Sequence, residues 1–145
     1  MAGTFKFKII TPERVVIDTE VEQVTATARD GQLSILPHHE PLVTALGIDI
    51  LRYVERGEEH SAAIIGGILE VSEEDVVVLS DAAELGIEID EARANKAKER
   101  AEVEKMQKAD KLDTHMAELA LAKAMARLRA AELAEQRKHR SRRGG

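Results

Sequence analysis

The chain has 145 residues, no cysteine and a net charge of −6 at neutral pH, which is enough length for one ordinary domain or for a small domain with an appendage. Without cysteine it can form neither a disulfide framework nor a thiolate metal site. It has no apolar segment of signal-peptide type at its start and no long apolar run elsewhere, so we expect no membrane insertion and a location in the cytosol or on a cytosolic membrane face.

The first part of the chain predicts a succession of short strands. Phe5, Phe7 and Ile9 alternate with lysines, the pattern of a half-buried strand. Further apolar segments rich in Val, Ile and Thr are separated by turns that contain Gly, Pro or acidic residues: 15–17, 21–28, 32–36, 42–46, 48–54, 60–65, 68–71 and 76–79. Strands that recur about every 8–12 residues favour a sandwich or barrel over alternating strands and helices.

Two glycine positions interrupt these strands. Gly47 is predicted to separate two of them, and Gly66-Gly67 to separate two more. A double glycine permits positive φ or the close approach of another backbone. It therefore indicates either a bulge within the sheet or a surface on which a partner packs tightly. It does not predict a phosphate loop, because no Gly-Lys-Ser/Thr follows and the next element is a strand.

Residues 86–94 join the two parts of the chain, and we place a domain boundary between residues 86 and 87. No Gly or Pro occurs after Gly86 until Gly144. Asp90 is a candidate N-cap, because its carboxylate can accept the free N–H groups of a first helical turn. Arg93 falls on that same turn, so the two side chains can be neighbours. A cap is the simpler interpretation of Asp90, and a ligand-binding role is the alternative.

The second part predicts two helices. The first runs from Glu91 to about Gln107, with alanines on one face. The polar segment 108–113 is expected to end it, and Asp113 or Thr114 to cap a second helix from Met116 to about Gln136. The apolar positions of the second helix are Ala117, Leu121, Ala124, Met125, Leu128 and Ala131. An antiparallel hairpin with such small side chains at its seam is either static or able to separate.

Charge divides the chain at the same place. Residues 1–86 carry 6 basic and 16 acidic residues, whereas residues 87–145 carry 15 basic and 11 acidic ones. The positive charge is concentrated after Gln136, in Arg137, Lys138, Arg140, Arg142 and Arg143. Such a run is either a solvated tail or a segment that meets an acidic partner.

Catalytic chemistry is not indicated. His38, His39 and His60 have no cysteine or HExxH partner, and adjacent residues on an extended chain point in opposite directions, so we expect no metal site. The chain has no GxSxG, Walker or GxGxxG motif. Its basic tail stands against an acidic remainder with one Tyr, two Phe and no Trp, which argues against nucleic-acid binding.

Several segments, in order, resemble the epsilon subunit family of bacterial-type F1Fo ATP synthases. They are ITP at 10–12, GQLSILPHHEPL at 31–42, GGILEV at 66–71, IDEARA at 89–94 and AELALAKA at 117–124. The resemblance covers roughly residues 5–135. It implies an α+β fold, with a ten-stranded N-terminal β-sandwich over residues 1–86 and a C-terminal antiparallel two-helix hairpin over residues 87–145.

The resemblance also implies partners. The chain would be a non-catalytic rotor subunit on the cytoplasmic face of the inner membrane, bound to gamma, the c-ring and the alpha/beta hexamer. Loops 29–32 and 37–41 would face the ring, with Asp30, Gly31, Gln32, His38 and His39 as contacts. The family often has an acidic residue at the position of Gln32. Because glutamine carries no charge, an ion pair with the ring is less expected at this position. Gly66 and Gly67 would contact gamma.

In the family the helices either fold onto the sandwich or extend along gamma, and the extended form blocks ATP hydrolysis. The resemblance implies that Lys123, Arg127 and Arg129 are inhibitory cations. It also implies a regulatory ATP, with or without Mg²⁺, which holds the hairpin folded; the residues are Glu84, Ile89, Asp90, Arg93, Ala94, Lys123 and Arg127. Family members use two arginines where this chain has Lys123 and Arg127, and lysine lacks the bidentate fork. The alternative is a free-standing ATP-sensing adaptor.

Overall fold

The computed structural model describes residues 3–107 and 111–144. Strands come first and helices second, as the sequence predicts. The strands are β1 (Phe5–Ile10), β2 (Val15–Val21), β3 (Gln23–Ala28), β4 (Gly31–Ile35), β5 (Leu42–Glu55), β6 (Glu58–Val71), β7 (Asp75–Leu79) and β8 (Ala83–Leu85). A short 3₁₀ helix (Gly86–Glu88), α1 (Glu91–Gln107) and α2 (Lys111–Gly144) follow.

The described residues form eight strands, two fewer than expected. The order is β2-β1-β7-β6-β5-β3-β4, with β8 on β6, and all pairs except β1–β7 are antiparallel. β5 and β6 are 14 residues each and pair throughout, across the predicted break at Gly47. One half of β6 pairs with β7 and the other half pairs with β8, so β6 takes part in both layers of the sandwich. If the two halves of β5 and the two halves of β6 are counted separately, the total is ten strands.

Large apolar side chains fill the space between the layers. The Phe7 ring on β1 lies 5.4 Å from the Tyr53 ring on β5, centroid to centroid. Alternate residues of β1 are buried, which confirms the half-buried pattern. The largest fully buried side chains come from seven strands: Phe7, Ile9, Ile35, Leu51, Leu69, Val21, Val24, Val76 and Val78.

The helices confirm the predicted hairpin, with corrections at the termini. α1 has the predicted bounds, and Ala94 and Ala101 are buried on it. α2 begins at Lys111, so neither Asp113 nor Thr114 is its cap; part of the predicted break, 108–110, lies outside the described residues. α2 also continues past Gln136 to Gly144, because that segment contains good helix formers and no breaker.

The hairpin is folded against the sandwich. Ala126 and Ala130 of α2 pack on Ile50 and Ala63. Ser61 Oγ donates a hydrogen bond of 2.8 Å to the Ala130 carbonyl oxygen. A Cβ on Gly86 would collide with that same carbonyl, so glycine allows the helix to approach this closely. α2 therefore has two buried faces, one toward α1 and one toward the sandwich, and the single predicted stripe was incomplete: Met125 on it is exposed, whereas Ala126 and Ala130 are buried.

Candidate functional site

A cavity of about 320 Å³ lies where the last strand, α1 and α2 meet. It brings together residues that are up to 43 positions apart in the chain. The lining residues are Glu84, Glu88, Ile89, Asp90, Arg93, Ala94, Ala97, Ala124 and Arg127. Six of the seven residues predicted to bind ATP are among them. The volume is in the range of small-molecule sites.

Asp90 caps α1 in this cavity. Its Oδ1 accepts a hydrogen bond of 3.1 Å from the Arg93 N–H, and its carbonyl oxygen accepts one of 3.0 Å from the Ala94 N–H. The predicted cap is therefore confirmed. Because the residue also lines the cavity, capping and ligand binding are compatible, and the first turn of α1 with its positive dipole end lies beside the cavity.

Both carboxylate and guanidinium groups line the cavity. Arg127 Nε donates a 2.7 Å hydrogen bond to Glu84 Oε1, which ties α2 to β8. Arg14 lies 2.7 Å from Glu88 through its Nη2 and ties the start of β2 to the 3₁₀ helix. The hydrogen bond to Glu88 and the charge of Glu88 raise the pKa of Arg14, so its guanidinium group keeps its charge. The cavity thus offers carboxylate acceptors for amine or hydroxyl groups and guanidinium donors for phosphate oxygens.

The cavity differs from the predicted ATP site, because it lacks Lys123 and adds Glu88, Ala97 and Ala124. Lys123 does not line the cavity, although Arg127 one turn later does. Glu88 lines it and was not predicted. Its only sequence signal is its position two residues before the Asp90 cap, and its pairing with Arg14, 74 positions away, exists only in the folded chain. Among the predicted inhibitory cations, Arg129 is exposed and Arg127 is engaged with Glu84.

The predicted c-ring contacts occupy two loops. Asp30 lies in the β3–β4 turn, Gly31 and Gln32 are the first residues of β4, and all three are exposed. His38 and His39 follow the other end of β4, where His38 has φ of 66° and His39 Nδ1 lies 2.7 Å from the Glu40 carbonyl oxygen. The two loops are therefore separated by the length of one five-residue strand.

Gly66 and Gly67 lie in the middle of β6 and both have positive φ. A Cβ on Gly67 would collide with the Leu79 carbonyl oxygen, and Ser80 Oγ donates to the Gly66 carbonyl oxygen. This close approach within the sandwich supports the internal interpretation of the double glycine. Beside it, an apolar row crosses five paired strands on the outer surface: Ala45, Ile68, Leu79, Ile10 and Val15. Ile10 is half-buried and the other four are exposed.

In 3–107 and 111–144, no group of three or more His, Asp or Glu side chains has the arrangement of a metal site. Within the same residues, no helix has the length and apolar character to cross a bilayer.

Comparisons with known proteins agree over nearly the whole chain. The family model "ATP synthase, Delta/Epsilon chain, beta-sandwich domain" matches residues 4–86, and the model "ATP synthase, Delta/Epsilon chain, long alpha-helix domain" matches residues 88–132. An ATP synthase epsilon chain of Desulforamulus reducens is 46% identical over 132 residues, which is 91% of this chain and 100% of that one. The epsilon chain of Caldicellulosiruptor saccharolyticus is 44% identical, over 88% of this chain and 93% of its own.

A solved structure supports the fold. A chain in the Euglena gracilis mitochondrial ATP synthase, in a structure of its OSCP, F1 and c-ring, superimposes with a TM-score of 0.75 at 24% identity, over 88% of this chain and 81% of that one.

Proposed function

The chain belongs to the delta/epsilon family of ATP synthase subunits, and we propose that it is a non-catalytic rotor subunit of the central stalk. In this role it couples gamma to the c-ring on the cytoplasmic face of the inner membrane, as a peripheral part of the complex. Its C-terminal helices inhibit ATP hydrolysis when they leave the sandwich, and a bound ATP keeps them folded.

The weak seam between α2 and the sandwich carries this proposal. Three of the four buried residues that meet there are alanines, with half-buried Ile48, Ile89 and Leu133 packed around them. Alanine buries little apolar area at about 25 cal/mol per Å². The seam therefore contributes a small part of the total stability, and the hairpin can separate while the sandwich stays folded. A second conformation of the helices is then accessible at a cost of a few kcal/mol.

The cavity gives ATP a means of controlling that equilibrium. Its walls come from the 3₁₀ helix, α1 and α2, so it exists only when the hairpin is folded. A ligand that binds one conformation stabilises it by its differential affinity. In the proposed mode, Arg93, Arg127 and the α1 N-terminus take the phosphates, while Glu84 and Asp90 accept from adenine or ribose. Arg127 would exchange its contact with Glu84 for the ligand.

The apolar row on the outer sheet is the proposed gamma surface, together with the adjacent Gly66 and Gly67. Exposed apolar side chains that align across several strands are unusual on a free surface and fit a packed partner. The β3–β4 turn and the His38–His39 loop are the proposed c-ring contacts. Because packing rather than charge would hold gamma, the pair should survive about 0.5 M salt, at which exposed ion pairs are screened. A free-standing ATP sensor, the alternative function, would not retain gamma on co-purification.

Truncation tests the inhibitory role. A chain cut after Ala109 lacks α2, and we expect the assembled ATP synthase that contains it to hydrolyse ATP faster than the enzyme with the full chain. Arg129→Gln tests the charge, because Arg129 is exposed and, among the described residues, forms no ion pair in the folded hairpin. Arg127→Gln is a poor test, since it also removes the contact with Glu84.

Each outcome has a distinct meaning. If truncation and Arg129→Gln both activate hydrolysis, the helix inhibits and its charge contributes. If truncation alone activates, the block is steric. If truncation has no effect, the helices do not inhibit in this enzyme and this part of the proposed function is wrong.

A further inference from the structure

α2 continues beyond the residues that match the family. The family's helical model matches this chain up to residue 132, and the Desulforamulus reducens chain is matched over its whole length by 132 residues of this one. In this structure α2 continues to Gly144, about three further turns. We call residues 133–144 the extension.

The extension contacts the tip of the β5–β6 hairpin. Arg137 Nη1 lies 2.9 Å from Glu58 Oε2, and its side chain is 28% exposed against 59% for Glu58. Leu133 packs beside Ile50 and Ala63, in the seam described above. The extension therefore continues the seam with an apolar contact followed by an ion pair.

The partner surface is held rigidly. Glu58 follows the tight turn of Arg56 and Gly57, which both have positive φ, and the Gly57 N–H donates a 2.9 Å hydrogen bond to Glu22 Oε1. Beside it, the His60 ring stacks on Tyr53, with ring centroids 5.2 Å apart and planes at 16°. Burial raises the pKa of Tyr53 to about 12, so its hydroxyl group stays neutral at physiological pH. Arg137 thus binds a preformed site on the sandwich.

We propose that the extension is a latch that holds the helical hairpin against the sandwich without any ligand. This rests on the proposed function, in which the hairpin leaves the sandwich. The latch lies at the C-terminal end of α2, away from the ATP cavity, and the two share no lining residue. ATP and the extension therefore stabilise the same folded state through separate contacts. Because Glu58 is exposed, the ion pair changes the folded-to-open ratio by about fivefold at most.

The absence of cysteine makes the latch measurable. A single Ala126→Cys substitution places a thiol in the seam, where Ala126 is buried, and its rate of labelling reports how often the hairpin opens. In the full chain without nucleotide, we expect Arg137→Gln to raise that rate two- to fivefold. The charge swap Glu58→Arg with Arg137→Glu should restore it. Arg142→Gln is the matched control: it removes one exposed charge from the same extension and should leave the rate unchanged.

The latch is overturned if Arg137→Gln leaves the labelling rate unchanged, or changes it no more than Arg142→Gln does. The Ala126→Cys probe could itself disturb α2. A second probe, Ala63→Cys, lies on the sandwich side of the seam and should report the same change in labelling rate. A measurement of ATP hydrolysis by the assembled enzyme distinguishes failure of the latch from failure of the proposed function. Faster labelling with unchanged hydrolysis supports the latch and counts against inhibition by the helices. Unchanged labelling in a chain whose truncation activates hydrolysis overturns the latch alone.

Discussion

The sandwich interior and the seam under α2 are built from different residues. The interior contains Phe7, Ile9, Leu51 and Leu69, none more than 1% exposed. The seam is formed by Ala63, Ala126 and Ala130, with Ile50 as its one large buried residue. Since the burial of apolar area scales with side-chain size, the first region stabilises the domain and the second only attaches a helix. This contrast fits the proposed function, in which a stable sandwich supports a helical hairpin that can detach.

The largest effect is expected in the sandwich interior. Phe7→Ala removes a fully buried ring that contacts Tyr53, and such a cavity costs about 3–5 kcal/mol of unfolding free energy. Denaturant unfolding would measure it. Met106→Ala, at a side chain 87% exposed on α1, should change stability by less than about 0.5 kcal/mol. Similar losses in both variants would contradict the assignment of the main core to the sandwich.

Gly86→Ala should detach the hairpin without unfolding the sandwich. The added methyl group would collide with the Ala130 carbonyl oxygen and crowd Ser61 Oγ, at 2.7 Å. Overpacking of this kind costs about 1–3 kcal/mol, so labelling of the Ala126→Cys probe should rise by about fivefold or more. Gly47→Ala is the control, because nothing lies within 4 Å of a Cβ added there. An unchanged labelling rate in Gly86→Ala would mean that the seam accommodates the added methyl group without loss of stability.

Asp90 tests whether the cavity binds ATP as proposed. Asp90→Asn keeps a good N-cap but loses the charge, whereas Asp90→Ala loses both, with about 1 kcal/mol of helix stability. A hydrogen bond from a ligand to a charged group contributes about 1.5–3 kcal/mol, so both variants should bind ATP about tenfold more weakly in calorimetric titration. If Asp90→Asn binds as the original chain does and only Asp90→Ala is weaker, Asp90 serves as a cap alone.

The smallest expected effect is a pH dependence of the latch. Burial, and then the charge of Arg137, lower the pKa of His60, while Glu55 and Glu58 oppose them. Arg52, Glu59 and Arg140 line the same cleft. Because the docked state disfavours the protonated ring, docking is strongest above the ordinary pKa of about 6.5 and weakens as pH falls below it.

Labelling of the Ala126→Cys probe, corrected for thiolate ionisation, should therefore increase modestly toward pH 5.5, and His60→Gln should abolish the increase. An equal increase in His60→Gln would assign the pH dependence to another group.

The sequence alone determined much of this protein. Alternation placed β1, the polar segment 108–113 indicated the end of α1, and Asp90 was identified as a cap because a carboxylate there can accept the free N–H groups of the first helical turn. Each of these depends on contacts between residues close in the chain. The motifs from Ile10 to Ala124 also identified the family, since their order and spacing are specific as a set.

Only the tertiary structure decided how these elements meet. Gly47 and Gly66 were predicted to interrupt strands, but they lie inside the continuous strands β5 and β6. Hydrogen bonding to the neighbouring strand maintains a strand at positions where the local residue preference would end it. The second buried face of α2, the contact of Gly86 with Ala130, and the pairs Arg14–Glu88 and Arg137–Glu58 join residues from 44 to 79 positions apart. No local pattern encodes them, because each arises only after the sandwich has formed a surface for the helix to cover.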